Sequence, residues 1–406
     1  MKYVKQVLGG DLRQYTMVLA LCLLILIFNV ISGGRMLTSS NFQNLLSGNA
    51  YVLVLALGML MVIVIGQIDL SVGSVAGFAG MVMALVAKNY NVPWWVAVLI
   101  ALAIGILAGA WHGFFLSQLG IPGFITTLGG MMIFRGGVIW ISRSISVPAP
   151  EELKWFGAGY LPEWGPSFTG MNNSTLLLGI IGIVCYAVAQ LRKYNSSKNN
   201  AVEATPFWAV ITRICLMTVL IGYFTYLFGS GRVGTSFPVP GLILLLLTIV
   251  YHIITQRTKF GRHVYAVGGN KAAAALSGVN VKKTYFLTMM NMSFLAAVAG
   301  ILFVGRSTAA GPADGTSWEM DAIASVFIGG AAVSGGVGTI LATIVGGMVM
   351  AVLNNGLMLM GVGADKTQVI KGFVLLAAVA FDVYNKKSGK SSIIGKLFSS
   401  DAKKAA

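Results

Sequence analysis

Apolar stretches of bilayer length alternate with short polar segments along almost the whole chain of 406 residues. A helix needs about 20 mostly apolar residues to cross a membrane, and somewhat fewer inside a bundle. The pattern therefore predicts an all-α polytopic membrane protein with about 12 transmembrane helices. The predicted spans are 16–32, 50–66, 71–87, 94–119, 124–141, 173–191, 206–229, 240–256, 284–304, 321–333, 338–358 and 367–383.

Composition agrees with this fold class and excludes several kinds of site. Hydrophobic residues make up 56% of the chain and charged residues 10%, whereas a soluble domain carries about 25% charge. The net charge is +16, but the cations cluster between spans and in the tail, so we expect a membrane-lipid environment and no nucleic-acid partner. The three cysteines lie in apolar runs without metal-ligand spacing, and we expect no metal, no cofactor and no catalytic residue.

The distribution of cations predicts the orientation. If the N-terminus lies inside, alternation of the spans also places 192–205, 257–283 and the tail after 384 inside. These segments and the N-terminus together hold 18 of the 28 lysines and arginines, as the positive-inside rule requires. We therefore predict cytoplasmic termini, a transmembrane domain over 1–384 and a basic cytoplasmic tail over 385–406.

A weak internal repeat suggests two related halves. The glycine-containing segment 65–74 resembles 328–339, and each copy continues into Met-Val-Met-Ala, at 81–84 and 348–351. Each copy joins an inward-running predicted span to an outward-running one. Paired, glycine-interrupted spans point to a transport path in two pseudo-repeated halves, and chance similarity among Gly, Val and Ala segments is the alternative.

The polar interruption from Gln256 to Thr284 contains six cations and no acid, which predicts a cytoplasmic location. In its middle, the alanine-rich run from Lys271 to Gly278 predicts a helix of about two turns that Gly278 can end. Such a helix either contacts a soluble partner or is an inert linker. The candidate contact residues are Gly269, Asn270, Ala273, Ala274, Leu276, Ser277 and Gly278.

Polar residues inside or beside the spans are candidates for contact with a hydroxyl-rich solute. Asp69 lies at a break between two spans, where it either lines a path or, with Ser71, caps the free amides of the next helix. For each uncharged residue, a hydrogen bond between helices is the alternative to a path role. The candidate translocation residues are Gln67, Asp69, Asn291, Asn354, Asn355 and Gln368.

Other motifs predict structure. Thr316 and Glu319 have capping-box spacing, and His112 is expected to form a hydrogen bond within the bundle. Gly105, Gly109 and Gly113 repeat on one helix face and predict close helix packing. The Gly-Lys-Ser of the tail lacks the first glycine of a phosphate-binding loop, so ATP dependence would require a partner.

Several separated motifs resemble the permease subunits of ribose/xylose/galactose-type ATP-binding-cassette (ABC) sugar importers. They cover most of 50–141 and 238–383. The matching segments are Gly66–Ser74, Thr258–Asn270, Ala322–Ala324, Gly329–Gly330, Ser334–Thr339, Asn354–Leu357 and Ile370–Gly372.

The resemblance implies a multi-pass bacterial inner-membrane protein that imports a monosaccharide and is not itself an enzyme. Its implied partners are a cytoplasmic ABC ATPase, a periplasmic or extracellular sugar-binding protein and a second permease copy, usually in a homodimer. The alanine-rich helix corresponds to the coupling helix of that family, although Ala272 and Ala275 replace its usual glutamate and arginine, and Gln67 replaces a glycine.

The segment at about 173–229 is an insertion relative to the shorter ribose-type permeases. It resembles the longer xylose-type and multiple-monosaccharide permeases, which favours xylose, glucose or galactose as the substrate. An ion-coupled secondary sugar carrier is the alternative from another class, and it would need titratable groups near the middle of the membrane.

Overall fold

The computed structural model describes residues 12–166, 169–199, 206–232 and 234–387, and its regular structure is almost entirely helical. Most of the predicted tail lies outside the described residues. The helices are α1 Leu12–Ile31, α2 Ser39–Val64, α3 Val72–Tyr90, α4 Trp94–Ser117, α5 Gly123–Ser142, α6 Leu153–Ala158, α7 Asn173–Asn199, α8 Phe207–Gly229, α9 Val239–Arg257, α10 Lys259–Gly269, α11 Lys271–Leu276, α12 Val281–Ser307, α13 Trp318–Ile328, α14 Ile340–Leu359 and α15 Ala364–Lys387. Two antiparallel strands, β1 Val147–Pro148 and β2 Ala309–Ala310, pair Val147 with Ala310.

Within the described part of the chain, nine helices are long and apolar enough to cross a membrane: α2 to α5, α7 to α9, α12 and α14. Helix α1 contributes a shorter apolar stretch, Met17–Ile31, and α13 has 11 residues. These helices confirm the predicted all-α polytopic membrane fold.

Helix α2 forms the centre of the bundle. It is apolar around its whole circumference, and the side chains from Leu53 to Val64 are almost completely buried. A helix with this pattern needs neighbours on all sides. Helices α9, α12, α13 and α14 pack against it.

Helices α4 and α12 approach closely along the predicted glycine face. A Cβ atom on Gly105 would lie 2.6 Å from the carbonyl oxygen of Ser293, and one on Gly109 would lie 2.7 Å from that of Met289. Gly113 is packed in the same way against Phe286. Larger side chains at these positions would force the two backbones apart, so the small-residue prediction is confirmed.

Two pairs of helices are joined by glycine-containing loops, and these loops meet. The 65–71 loop joins α2 to α3, and the 329–339 loop joins α13 to α14. The amide of Gly336 donates to the carbonyl oxygen of Val64 at 2.8 Å, at the end of α2. Val64 is 0% exposed, and a buried carbonyl group at the end of a helix requires a partner of this kind.

Helices α7 and α8 pack against each other and touch the bundle mainly near one end. Phe42 of α2 contacts the ring of Phe228, and the side-chain amide of Gln43 donates to the carbonyl oxygen of Phe228 at 2.8 Å. Further along the pair, apolar side chains such as Ile181 and Val219 are exposed. This hairpin corresponds to the segment predicted as an insertion.

The capping box predicted at Thr316 and Glu319 is wrong. Ser317 occupies the N-cap position of α13 in the left-handed region, with φ of 64°, and its side chain makes no capping bond. The Thr316 hydroxyl instead donates to the carbonyl oxygen of Ala313 at 2.6 Å. The tight turn before α13 therefore removes Thr316 from the position that a capping box requires.

Candidate functional site

Helices α10 and α11 form a compact block between α9 and α12. The Asn270 side chain accepts the amide of Ala273 at 3.0 Å and so caps α11. Gly278 lies just beyond α11 with φ of +83°, in the left-handed conformation that ends helices and favours glycine. The predicted short helix is therefore present, over Lys271–Leu276.

The block presents different faces to the bundle and to its surroundings. Ala274 is buried against the bundle, whereas the Leu276 side chain is 91% exposed. The other candidate contact residues, Gly269, Asn270, Ala273, Ser277 and Gly278, are all exposed. An exposed leucine next to small residues is suited to contact with another protein, because it offers apolar area without obstruction.

Helix α10 contacts both interrupted helix pairs directly. A Cβ atom on Gly268 would overlap the carbonyl oxygen of Val64 and lie 2.8 Å from the amide of Gly336. The hydroxyl of Tyr265 donates to the carbonyl oxygen of Gly338 at 2.7 Å, and burial raises the pKa of Tyr265 to about 12. A displacement of α10 would therefore act on both loops.

The 65–71 loop is held to α3 and α5 by side-chain hydrogen bonds. Asp69 Oδ1 accepts the amide of Ser71 at 2.8 Å and its hydroxyl at 2.6 Å, which fixes the turn before α3. Ser71 occupies the N-cap position of α3 and makes no side-chain capping bond, so capping of the free helix amides stays a prediction. Gln67 Oε1 accepts the amide of Gly123, the first residue of α5, at 2.9 Å. The amide of Leu70 donates to Thr127 Oγ1 at 3.1 Å.

Buried titratable groups surround this loop. Asp69, His112 and Glu319 are 0%, 0% and 7% exposed. Asp69 Oδ2, both ring nitrogens of His112 and Glu319 Oε2 have no hydrogen-bond partner in the described part of the chain. The predicted hydrogen bond of His112 is therefore wrong, because the ring packs against the backbone of Gly130 and the ring of Phe134.

A second polar site lies between α13, α14 and α15. Lys371 Nζ lies 2.7 Å from Asp321 Oδ1 and 2.9 Å from Oδ2, and the two side chains are 17% and 14% exposed. Gln368, a candidate translocation residue, borders the adjoining cavity of about 200 Å³ with Ser317 and this ion pair. The cavity combines a charged pair, an amide and a hydroxyl.

The candidate asparagines lie between helices. Asn291 accepts a hydrogen bond from the hydroxyl of Tyr251 and so links α12 to α9. Asn355 and Asn41 exchange two side-chain hydrogen bonds of 2.9 and 3.0 Å between α14 and α2. Asn354 is half-buried on α14. These contacts agree with the interhelical alternative, and the assignment of these residues to a path stays a prediction.

Residues 41–379 match the family described as branched-chain amino acid transport system / permease component. The chain belongs to this permease family. No solved structure matches the permease significantly.

Named relatives agree with the sequence resemblance. The permease is 34% identical to the xylose transport system permease protein XylH of Haemophilus influenzae, over 93% of this chain and 98% of the relative. It is 33% identical to XylH of Escherichia coli and 31% identical to the ribose import permease protein RbsC of Escherichia coli, over 93% of this chain in both cases and 93% and 95% of those proteins. The predicted relationship to ribose/xylose-type ABC permeases is confirmed, and the permease is a multi-pass protein of the bacterial inner membrane.

Some features of the permease were missed at the level of sequence. The pairing of Asp321 with Lys371 was not predicted. An acid in the predicted span 321–333 and a lysine in the predicted span 367–383 could have indicated the pair, because such charges usually pair inside a membrane. The bond from Arg135 Nη1 to the carbonyl oxygen of Asp314, at 2.8 Å, offered no comparable signal, because its acceptor is backbone.

Proposed function

We propose that the permease imports a monosaccharide of the xylose, glucose or galactose type into the cytoplasm. ATP is hydrolysed by a separate ABC ATPase, and a binding protein delivers the sugar from the other side. The names of the relatives support a sugar substrate, since they are xylose and ribose permeases aligned over 93% of this chain. The α7–α8 insertion favours the xylose-type group.

The block of α10 and α11 carries this proposal. Leu276 projects from the block, and Gly268 and Tyr265 contact the two loops on its other side. An ATPase that moves α11 would bias both interrupted helix pairs together, as coupling between distant sites requires. Ala272 and Ala275 make this an apolar docking surface instead of a charge-paired one.

The proposed architecture has 12 crossings, two pseudo-repeated halves and cytoplasmic termini. Helices α1, α13 and α15, added to the nine long apolar helices, give the 12 crossings. The contact between the 65–71 and 329–339 loops supports the pairing of the halves. Two copies of the chain are expected to enclose the translocation path.

The proposed path begins with the polar groups that border open space. Gln368 lies at the cavity beside Asp321 and Lys371, where amide and charged groups can exchange hydrogen bonds with sugar hydroxyls. Asp69 and Gln67 lie on the loop that follows Val64, the last residue of α2, which α10 contacts. Asn291, Asn354 and Asn355 complete the proposed set on α12 and α14.

The decisive experiment is sugar uptake by proteoliposomes that contain the permease, its ATPase and its binding protein. Replacing Leu276 with Asp should reduce ATP-driven uptake at least ten-fold, a loss of about 1.4 kcal/mol of coupling, while membrane insertion stays normal. Leu276→Met is the matched control, because it keeps the apolar surface. Unchanged uptake by Leu276→Asp would contradict the coupling role.

The alternative, an ion-coupled secondary carrier, makes the opposite prediction for the same vesicles. Its uptake would continue without any ATPase and collapse when the proton gradient is removed. Such a carrier needs titratable groups within the bundle, and the buried Asp69, His112 and Glu319 are the candidates. Uptake that needs both ATP and the ATPase excludes this alternative.

A further inference from the structure

A cavity of about 710 Å³ lies beside α11, between the end of α4 and the start of α12. Leu116 and Ser117 line it from α4, Lys271 from α11, and Val281, Lys282 and Tyr285 from α12. Its size is within the range of small-molecule sites. It lies on the side of α11 that carries Lys271 and is separate from the ion pair between α13 and α15.

The polar groups of this cavity favour an anion. The side chains of Lys271 and Lys282 are exposed at its edge, and no acid is among its described lining residues. The Ser117 hydroxyl is 4% exposed and has no hydrogen-bond partner in the described part of the chain. Buried polar groups are nearly always hydrogen-bonded, so this unpartnered hydroxyl among the lining residues is a donor that a bound ligand would satisfy.

The start of α12 adds backbone donors. The Asn280 side chain accepts the amide of Lys283 at 2.9 Å. The first amide that donates within the helix is that of Thr284, to the carbonyl oxygen of Asn280 at 3.0 Å. The amides of Val281 and Lys282 come before it, so the helix itself offers them no carbonyl group. Helix N-termini of this kind bind phosphate groups.

The apolar wall of the cavity continues towards the membrane. Leu119, which also lines the cavity, is 57% exposed, and Phe114, one turn earlier on α4, is 48% exposed. Because α4 ends and α12 begins here, the cavity lies where a leaflet changes from acyl chains to headgroups. Lysines in this zone attract anionic lipid by about 1 kcal/mol each.

We propose that this cavity binds the phosphate-bearing headgroup of an anionic phospholipid beside the coupling helix, with the acyl chains along Leu119 and Phe114. Its assignment to the cytoplasmic leaflet rests on the proposed function. Binding of the lipid would hold α11 against the end of α4 and so fix the position of the surface that the ATPase contacts.

The test is native mass spectrometry of the full-length permease, titrated with phosphatidylglycerol or phosphatidylcholine. Lys271→Gln and Lys282→Gln should each weaken phosphatidylglycerol binding about five-fold, and the double variant about 25-fold. Lys283→Gln is the matched control, because this exposed lysine does not line the cavity. Ala272→Trp should fill the cavity and weaken binding without a change of charge.

Each other outcome overturns the proposal. Equal binding of the two lipids, or equal effects of the Lys282 and Lys283 variants, would mean that the site does not recognise the headgroup. Complete displacement by inorganic phosphate would assign the cavity to a free anion, and displacement by the purified ATPase would assign it to that partner. Because the measurement needs neither sugar nor ATP, its failure would leave the proposed import function untouched.

Discussion

At the scale of single residues, Tyr265 links the block of α10 and α11 to the interior of the permease. Its hydroxyl reaches the carbonyl oxygen of Gly338, which lies in a loop that has no regular secondary structure to satisfy it. Both groups would lack a partner if the contact opened. The bond therefore favours one position of α10 relative to the 329–339 loop.

Replacing Tyr265 with Phe should lower the free energy of unfolding by about 1 kcal/mol at neutral pH. Burial raises the pKa of Tyr265 to about 12, so the folded state holds this proton more tightly than the unfolded state. The stabilisation is complete below pH 10 and is lost as the pH rises towards 12. Thermal unfolding in nanodiscs should show a smaller alkaline loss for Tyr265→Phe than for the native chain.

The matched control is Tyr90→Phe, because Tyr90 is 75% exposed. Equal alkaline profiles for Tyr265→Phe and the native chain would contradict the assigned role of the hydroxyl.

The ion pair of Asp321 and Lys371 makes a second residue-scale prediction. Lys371→Met would leave a buried carboxylate without its partner and should destabilise the permease by about 3 kcal/mol. Adding Asp321→Asn should recover most of this loss, because both charges are then absent. Thermal unfolding measures both steps, with Lys366→Met, an exposed position on the same helix, as the control. A single variant as stable as that control would exclude a structural role for the pair.

At the scale of elements, the packing of α10 depends on one glycine. Gly268→Ala would place a Cβ atom against backbone atoms of Val64 and Gly336, which cannot rotate away as a side chain can. We expect a destabilisation of about 1–3 kcal/mol and a loss of ATP-driven uptake.

Gly269→Ala is the matched control for this change. A Cβ atom on Gly269 would meet no atom within 4 Å, so its stability should stay within about 0.5 kcal/mol of the native value. Thermal unfolding compares the two variants directly. If both alanines behaved alike, close packing of α10 against the loops would not be needed.

Elements fixed by local signals were predictable from the sequence. The Asn270 cap, the alanine run and Gly278 determine α11, and these signals act within a few residues. The start of α2 at Ser39, instead of 50, was missed because Asn41 and Gln43 interrupt the apolar pattern. These side chains bond to Asn355 and to the Phe228 backbone, which only the tertiary structure brings near.

In the candidate site, too, positions set by local sequence were predictable and contacts between distant helices were not. The positions of Leu276 and Asp69 followed from the order of spans and loops. His112 is buried without a hydrogen-bond partner in the described part of the chain, and Tyr265 bonds to Gly338. Both environments depend on segments that are distant in sequence, so no local pattern could indicate them.

At the scale of the whole molecule, the proposed orientation has a direct test. The native cysteines Cys22, Cys185 and Cys215 are exposed and should first be replaced by serine. A membrane-impermeant maleimide added to spheroplasts should then label Trp164→Cys, whereas inverted vesicles should be needed to label Leu276→Cys. Both side chains are well exposed, at 69% and 91%. Labelling of Leu276→Cys from outside would reverse the assigned orientation.

The hydrogen bond between Gly336 and Val64 has a consequence for how the permease moves. A backbone amide and carbonyl separated in a buried, dry environment would cost about 1–3 kcal/mol each unless water replaced the lost bond. Motions that preserve this hydrogen bond need no added water. Motions that separate the two loops require water to enter between them. We therefore expect the two loops to move together as one rigid unit during the transport cycle, with bending confined to the surrounding helices.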